Sequence, residues 1–314
     1  MTAARGHAWL GPALRMQSVA ATALMAGFCL AALAGVRFGA GVQLGVLLGG
    51  IVTVGFPHGA FDHLVARSVL EGRLGRHWWI PFLAGYVGLA GLVWLAWALA
   101  PAATLAGFLA ASVLHFGLGD TEDGLAPAAV PRGMTVLTLG AMPLLLPMAL
   151  HPEAAAPVLA ALAEAPVETV RDALHGATWL LPAWLAGFAW VMLAAWREGR
   201  GVAERLVTAA AFALLPPLLA FGLYFGAGHS VRHVLRLGAW HAACDPRAAA
   251  RWLAAVILPA GLTCAAGLGT LAWLGRDVTA DVLTPCFRVI AALTLPHMVV
   301  TAWLEYGTDR ESNA

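Results

Sequence analysis

The first indication of chemistry in this chain is a short polar segment at the end of an apolar run, Gly-Phe-Pro-His-Gly-Ala-Phe-Asp-His, which contains His58, Asp62 and His63. Ionisable side chains at the edge of an apolar span are costly and usually functional. Pro57 lacks a backbone donor and Gly59 permits unusual dihedral angles, so we expect a bend around His58 in place of a regular helix. The segment therefore predicts a functional site at the edge of a hydrophobic span.

Further histidines lie in other apolar runs. His229 and His233 are four residues apart, and on a helix this spacing leaves the two side chains about 40° apart on one face. A third run contains His115, two residues before Gly117. A lone histidine in such a setting is more often a hydrogen-bonded packing residue, but several in short polar motifs favour a shared site. We expect His58, His115, His229 and His233 to converge on one metal ion; nitrogen ligands suit iron, copper or zinc without choosing among them.

Two carboxylates and several aromatic side chains accompany these histidines. Asp62 follows His58 by four residues and Asp120 follows His115 by five, so each is a candidate to offset the metal charge and orient the imidazole rings. Solvated positions at the membrane boundary are the alternative for both. The aromatic residues suit a slot for a long apolar substrate, although ordinary membrane packing also explains them. These candidate tunnel residues are Phe56, Phe61, Phe116, Tyr224 and Phe225.

The composition indicates the type of fold that positions these residues. Of the 314 residues 61% are hydrophobic and only 11% are charged, whereas soluble domains contain about 25% charged residues. The apolar runs are continuous and lack the alternation of a transmembrane barrel. The sequence predicts an all-α, polytopic transmembrane bundle of about eight to ten spans, a multi-pass protein of the cell (inner) membrane. We expect one integral membrane domain over residues 1–314, with terminal tails at 1–18 and 305–314.

Nine apolar runs have about the length that crosses a bilayer. Pro216–Pro217 interrupts the seventh, and the segment from Gly228 to Ala239 is either its continuation or a separate helix. The runs are Val19–Val36, Gly41–Phe56, Trp78–Ala100, Ala102–Leu118, Met134–Leu150, Thr178–Trp196, Leu206–Phe225, Trp252–Leu274 and Val282–Trp303.

Four motifs together resemble the Brp/Blh family of membrane-bound β-carotene dioxygenases. They occur in the family's order and extend over most of the chain, and the Pro-His-Gly-Ala-x-Asp element is the most specific. The motifs are Phe56–His63, His115–Gly117, Gly228–His233 and Thr294–His297.

The resemblance implies cleavage of β-carotene at its central 15,15' double bond into two molecules of all-trans-retinal. It further implies a non-haem Fe(II) cofactor with O2 as co-substrate, and a four-histidine iron site that carries over to His58, His115, His229 and His233. His63 and His297 belong to matching motifs but are not expected to be ligands; His297 is assigned to the substrate tunnel.

The partners follow from the same resemblance and from composition. β-Carotene would enter from the lipid phase, and a rhodopsin is a possible recipient of the retinal. All 18 basic residues are arginine, so no lysine is present to hold retinal as a Schiff base. A net charge of +1 gives no reason to expect nucleic acid.

Three other classes of protein are alternatives on the residues alone. A transporter would need a charged pathway in the membrane, which this sequence scarcely has. A di-iron membrane desaturase or hydroxylase needs more clustered histidine boxes than the one HxxxH found here. A non-enzymatic haem- or pigment-binding membrane protein would ligate its pigment with histidine pairs across helices.

Overall fold

The computed structural model describes residues 9–122, 126–242 and 244–312, and within these ranges the chain is helical with no β-strand. Eight of the described helical segments are long and apolar enough to cross a membrane. This confirms the predicted all-α, polytopic fold class. The eight segments are Leu10–Leu33, Ala40–His77, Trp79–Leu99, Pro101–Thr121, Arg132–Leu150, Val167–Arg197, Pro246–Leu274 and Val278–Ala302.

The α-helices are numbered in chain order. They are α1 Leu10–Leu33, α2 Ala40–Gly50, α3 Asp62–Leu74, α4 Trp79–Leu99, α5 Pro101–Thr121, α6 Arg132–Leu150, α7 Pro152–Ala163, α8 Val167–Ala177, α9 Leu181–Arg197, α10 Ala203–Leu214, α11 Pro217–Gly222, α12 Val231–His241, α13 Pro246–Leu274 and α14 Thr284–Ser312.

The first helix begins at Leu10 and not at Val19, so the expected tail over residues 1–18 is too long. Two polar residues of this stretch make hydrogen bonds to other parts of the bundle. Gln17 donates to the backbone carbonyl of Ala227 at 2.7 Å, and Ser18 donates to Glu204 at 2.6 Å. At the other end, α14 continues through the expected tail 305–314 as far as Ser312.

The seventh apolar run breaks at Pro216 and then continues past its predicted end. Helix α10 ends at Leu214, and Pro217 starts a second helical segment that runs without interruption to His241. The residues from Gly228 to Ala239 are therefore a continuation of this second segment. Its middle, Leu223–Ser230, is a π-helix.

The segment around His58 departs from α-helical geometry, as Pro57 and Gly59 predict. A π-helical turn, Ile51–Gly55, follows α2, and a 3-10 turn, Pro57–Phe61, then leads into α3. This π-helical turn packs against the π-helix Leu223–Ser230. Such turns are uncommon and concentrate at functional sites, because they redirect side chains relative to the regular helix.

Helix α5 positions His115, and it lies unusually close to α6. A Cβ atom added at Gly117 would collide with the carbonyl group of Val136, and one added at Gly140 would collide with that of Val113. Small residues permit this kind of backbone approach between membrane helices. The close crossing fixes α5 against the bundle one turn from the histidine.

Candidate functional site

Five imidazole rings meet in the interior of the bundle, one more than the sequence predicted. His58 comes from the 3-10 turn, His115 from α5, His229 from the π-helix, His233 from α12 and His297 from α14. Ring centroids lie 5.0 Å apart for His58 and His297, 5.0 Å for His115 and His229, and 5.5 Å for His58 and His233. Segments far apart in sequence therefore supply one cluster.

The ring nitrogens of three of these histidines face a common point. The Nε2 atoms of His115 and His229 lie 3.2 Å apart, and one nitrogen each of His58, His115 and His229 lie within 4.8 Å of one another. His58 Nδ1 makes a hydrogen bond to the carbonyl oxygen of Gly55. A metal-binding histidine typically donates its other ring N–H in this way, which fixes the ring and leaves one nitrogen for the ion. The donor set therefore fits a transition metal.

The two carboxylates both contact the cluster. Asp120 accepts a hydrogen bond from Tyr224 at 2.8 Å, and its other oxygen lies 3.9 Å from His229 Nδ1 and 3.9 Å from Arg232. Arg232 also pairs with Glu204 at 2.8 Å. Asp120 is thus a buried group held by several partners, in contrast to the solvated position that was its alternative.

Asp62 contacts a different histidine from the one its spacing suggested. Its carboxylate oxygens lie 2.8 Å from His297 Nδ1 and 2.8 Å from the hydroxyl of Tyr86, which donates. The chain places Asp62 four residues after His58, but the 3-10 turn between them aims the carboxylate at α14. Tyr86 and the pairing with His297 give no signal in the sequence, since residues 62 and 297 are brought together only by the packing of α14 on α3 and α4.

An apolar cavity of about 440 Å³ borders the histidine cluster. His58, His115 and His297 form part of its wall, and α5 lines it from Leu105 to Phe116. Most of the remaining wall is aliphatic and aromatic, the lining typical of a site for an apolar small molecule. Further lining residues include Phe82, Phe108, Leu109, Leu144, Pro147, Val158, Leu159, Leu162, Leu218, Phe221, Phe287 and Ile290.

Not all of the predicted tunnel residues line this cavity. Phe56, Phe116, Phe225 and His297 do, but Phe61 and Tyr224 do not. Phe61 is buried against Trp252, with ring centroids 4.9 Å apart, and packs in a separate apolar cluster with Val65, Val234 and Leu237. Tyr224 instead holds Asp120 through its hydroxyl.

The two other histidines near apolar runs lie outside the cluster. His63 is exposed, and its Nδ1 makes a hydrogen bond to the carbonyl oxygen of Ala60 at 2.7 Å, although the residue also lines part of the cavity. His241, at the end of α12, stacks on Trp252 with centroids 4.3 Å apart.

Gly119 is a site residue that the sequence analysis did not identify. A Cβ atom at this position would lie 2.9 Å from Cε1 of the His229 ring. Any residue larger than glycine would therefore force the imidazole to move. The position of Gly119 between His115 and Asp120, two candidate site residues, was the available signal.

We expect Gly119→Ala to displace the His229 ring and to lower metal affinity by roughly 10–100-fold, the cost of disturbing the shell around a ligand. Isothermal titration of the purified protein with the metal checks this. Gly107→Ala on the same helix is the matched control, since a Cβ there meets nothing within 4 Å. Equal affinity in the two variants would show that His229 does not need the space that Gly119 provides.

The fold and the site define a class of protein: a multi-pass helical membrane protein with a cluster of imidazoles beside an apolar cavity. Comparison with known proteins identifies the family within this class. Residues 49–305 match the sequence model of a family described as beta-carotene 15,15'-dioxygenase. The chain belongs to this family, which confirms the resemblance and places it among the carotenoid dioxygenases.

Two relatives illustrate the similarity. A Halobacterium salinarum protein named probable beta-carotene 15,15'-dioxygenase Blh is 30% identical over 306 residues, which cover 88% of each chain. A beta-carotene 15,15'-dioxygenase of an uncultured marine bacterium is 26% identical over 263 residues, 80% of this chain and 90% of that one. No solved structure gives a match.

Proposed function

We propose that this protein cleaves β-carotene at its central 15,15' double bond to two molecules of all-trans-retinal, with O2 as co-substrate and iron as the metal. His58, His115, His229 and His233 hold the iron. The observation that carries the proposal is the position of the imidazole cluster in the wall of an apolar cavity, in a chain of this family.

The choice of iron follows from the reaction. Cleavage of an alkene by triplet dioxygen needs a redox-active centre, which bound Fe(II) supplies and zinc does not. The residues contribute a water-poor, shaped cavity and fixed donors. Asp62 and Asp120 offset the ion's two positive charges in a low-dielectric interior, where an uncompensated charge is expensive.

The dimensions of the cavity support central cleavage. Along α5 the lining extends from Leu105 to His115, ten residues or about 15 Å at the helical rise. β-Carotene is a rod of roughly 30 Å, comparable to the hydrocarbon thickness of a bilayer. One half of the molecule therefore matches the distance from the far end of this wall to the histidines, and the central bond then lies at the metal. Positioning selects the bond, because the conjugated double bonds are chemically similar.

The geometry disfavours the two rival classes. A di-iron centre would need a second set of ligands, and the described residues that could hold a metal form one group, at the imidazole cluster. A haem ligated by His115 and His229 would need room for a porphyrin between two Nε2 atoms that lie 3.2 Å apart.

The surroundings of the site fit a membrane substrate. β-Carotene enters sideways from lipid, and the protein resides in the cell (inner) membrane. The retinal is released and not retained covalently, because the chain has no lysine. A rhodopsin in the same membrane is a fitting recipient.

The test is turnover by the purified, Fe(II)-loaded protein with β-carotene in detergent micelles. We expect two retinals per β-carotene, formed only when both O2 and iron are present, as chromatography with absorbance detection measures. Unequal apocarotenal fragments would contradict central cleavage. Unchanged β-carotene in iron-loaded, folded protein would overturn the proposal, and a sharp haem absorption band in the isolated protein would favour the pigment-binding class.

A further inference from the structure

We propose that His297 binds the metal together with the four predicted histidines, and that Asp62 positions it for this task. The inference rests on the proposed function, since it concerns the same ion, but it adds a ligand from α14 that the family resemblance did not assign.

The two nitrogens of His297 have opposite surroundings. Nδ1 lies 2.8 Å from Asp62 Oδ1 and donates to this carboxylate, so in the neutral ring Nε2 is the nitrogen without a proton. Nε2 is buried and has no hydrogen-bond partner among the described residues. A buried polar atom without a partner is uncommon and destabilises the folded protein. A metal ion in the cluster would satisfy this lone pair.

The position of the ring supports the same role. The centroid of His297 lies 5.0 Å from that of His58, 5.3 Å from that of His115 and 5.5 Å from that of His233. Measured between ring centroids, His297 is as close to these three histidines as the predicted ligands are to one another, at 5.0 Å to 6.2 Å. Packing alone does not explain why a buried ring nitrogen beside three other imidazoles has no hydrogen-bond partner in the part of the chain that the structure describes. A bound metal ion would explain it.

Asp62 has the arrangement of a group that orients a ligand. Its side chain is 5% exposed, and one oxygen is held by the Tyr86 hydroxyl while the other accepts from His297. Metal-binding histidines commonly donate to a carboxylate in this manner, which fixes the tautomer and makes the ring a stronger donor. The negative charge that the sequence assigned to the surroundings of His58 thus acts through His297.

Titration of the apo-protein with Co(II), a spectroscopic substitute for Fe(II), tests the inference without relying on activity. The visible bands of Co(II) depend on the number and arrangement of its ligands. We expect His297→Ala to alter these bands and to weaken binding by about 100-fold or more, beyond the loss from disturbing a group around a ligand. We expect added imidazole to restore the wild-type spectrum by occupying the vacated space. His77→Ala, at an exposed histidine, is the control and should leave both unchanged.

Asp62→Asn is the second variant, and it keeps the size of the side chain. A loss of roughly 10–100-fold in Co(II) affinity is expected from weakening the partner of a ligand. Asp172→Asn, at an exposed carboxylate on α8, is the matched control. If His297→Ala does not fold, Asp62→Asn decides the matter: wild-type affinity in that variant overturns the inference.

The outcomes separate this inference from the proposed function. A wild-type protein that binds no metal would overturn both. A wild-type protein that binds Co(II), with an unchanged spectrum and affinity in His297→Ala, would overturn only the fifth ligand and leave the four-histidine site standing.

Discussion

His229→Ala is expected to abolish both iron binding and β-carotene cleavage. His229 supplies the Nε2 atom that lies 3.2 Å from that of His115, and it belongs to the three histidines whose nitrogens face a common point. Removing a ligand should cost more than the ~10–100-fold that follows from disturbing the groups around one. Iron per chain by mass spectrometry and retinal formation by chromatography measure the two losses in the same sample.

The matched control for this prediction lies on the same helical segment. His241→Ala removes an imidazole that stacks on Trp252 outside the cluster, and it should retain iron and most activity. His233→Ala should behave like His229→Ala if both are ligands. Stoichiometric iron in the His229 and His233 variants, each with a wild-type thermal unfolding profile, would exclude these two residues from the metal site.

The sequence could predict the parts of the site that depend on local geometry. His229 and His233 are four residues apart, so helical periodicity alone places them on one face. The apolar run before His229 also predicts that this histidine is buried, as it is. The bend at His58 follows equally from Pro57 and Gly59. In each case the information lies within a few residues of the side chain concerned.

Other parts of the site depend on contacts that no local pattern encodes. Asp62 and His297 are separated by 235 residues, and their hydrogen bond exists because α14 packs against α3 and α4. Phe61 and Tyr224 were misplaced for a related reason. Both lie in segments with 3-10 or π-helical geometry, where 100° per residue no longer gives the direction of a side chain.

Leu109→Trp is expected to stop central cleavage while leaving the metal in place. Leu109 lies on the cavity wall between Leu105 and His115, on the side that would hold one half of β-carotene. An indole there shortens the cavity, so the central double bond can no longer reach the histidines. A displacement of about 1 Å can reduce turnover by about 100-fold, and the loss of a whole ring site should exceed that. Retinal formation and iron content, measured together, separate a blocked cavity from a damaged metal site.

Leu114→Trp on the same helix makes the identical change at a side chain that is 44% exposed and does not line the cavity. Both variants enlarge a leucine on α5, but only Leu109→Trp fills the space proposed for the polyene. We therefore expect wild-type iron in both variants and loss of retinal formation in Leu109→Trp alone. Fragments of unequal length from Leu109→Trp would still support a linear substrate in this cavity, because they would show that the rod had shifted along it. Wild-type turnover to retinal in Leu109→Trp would mean that β-carotene lies elsewhere in the bundle.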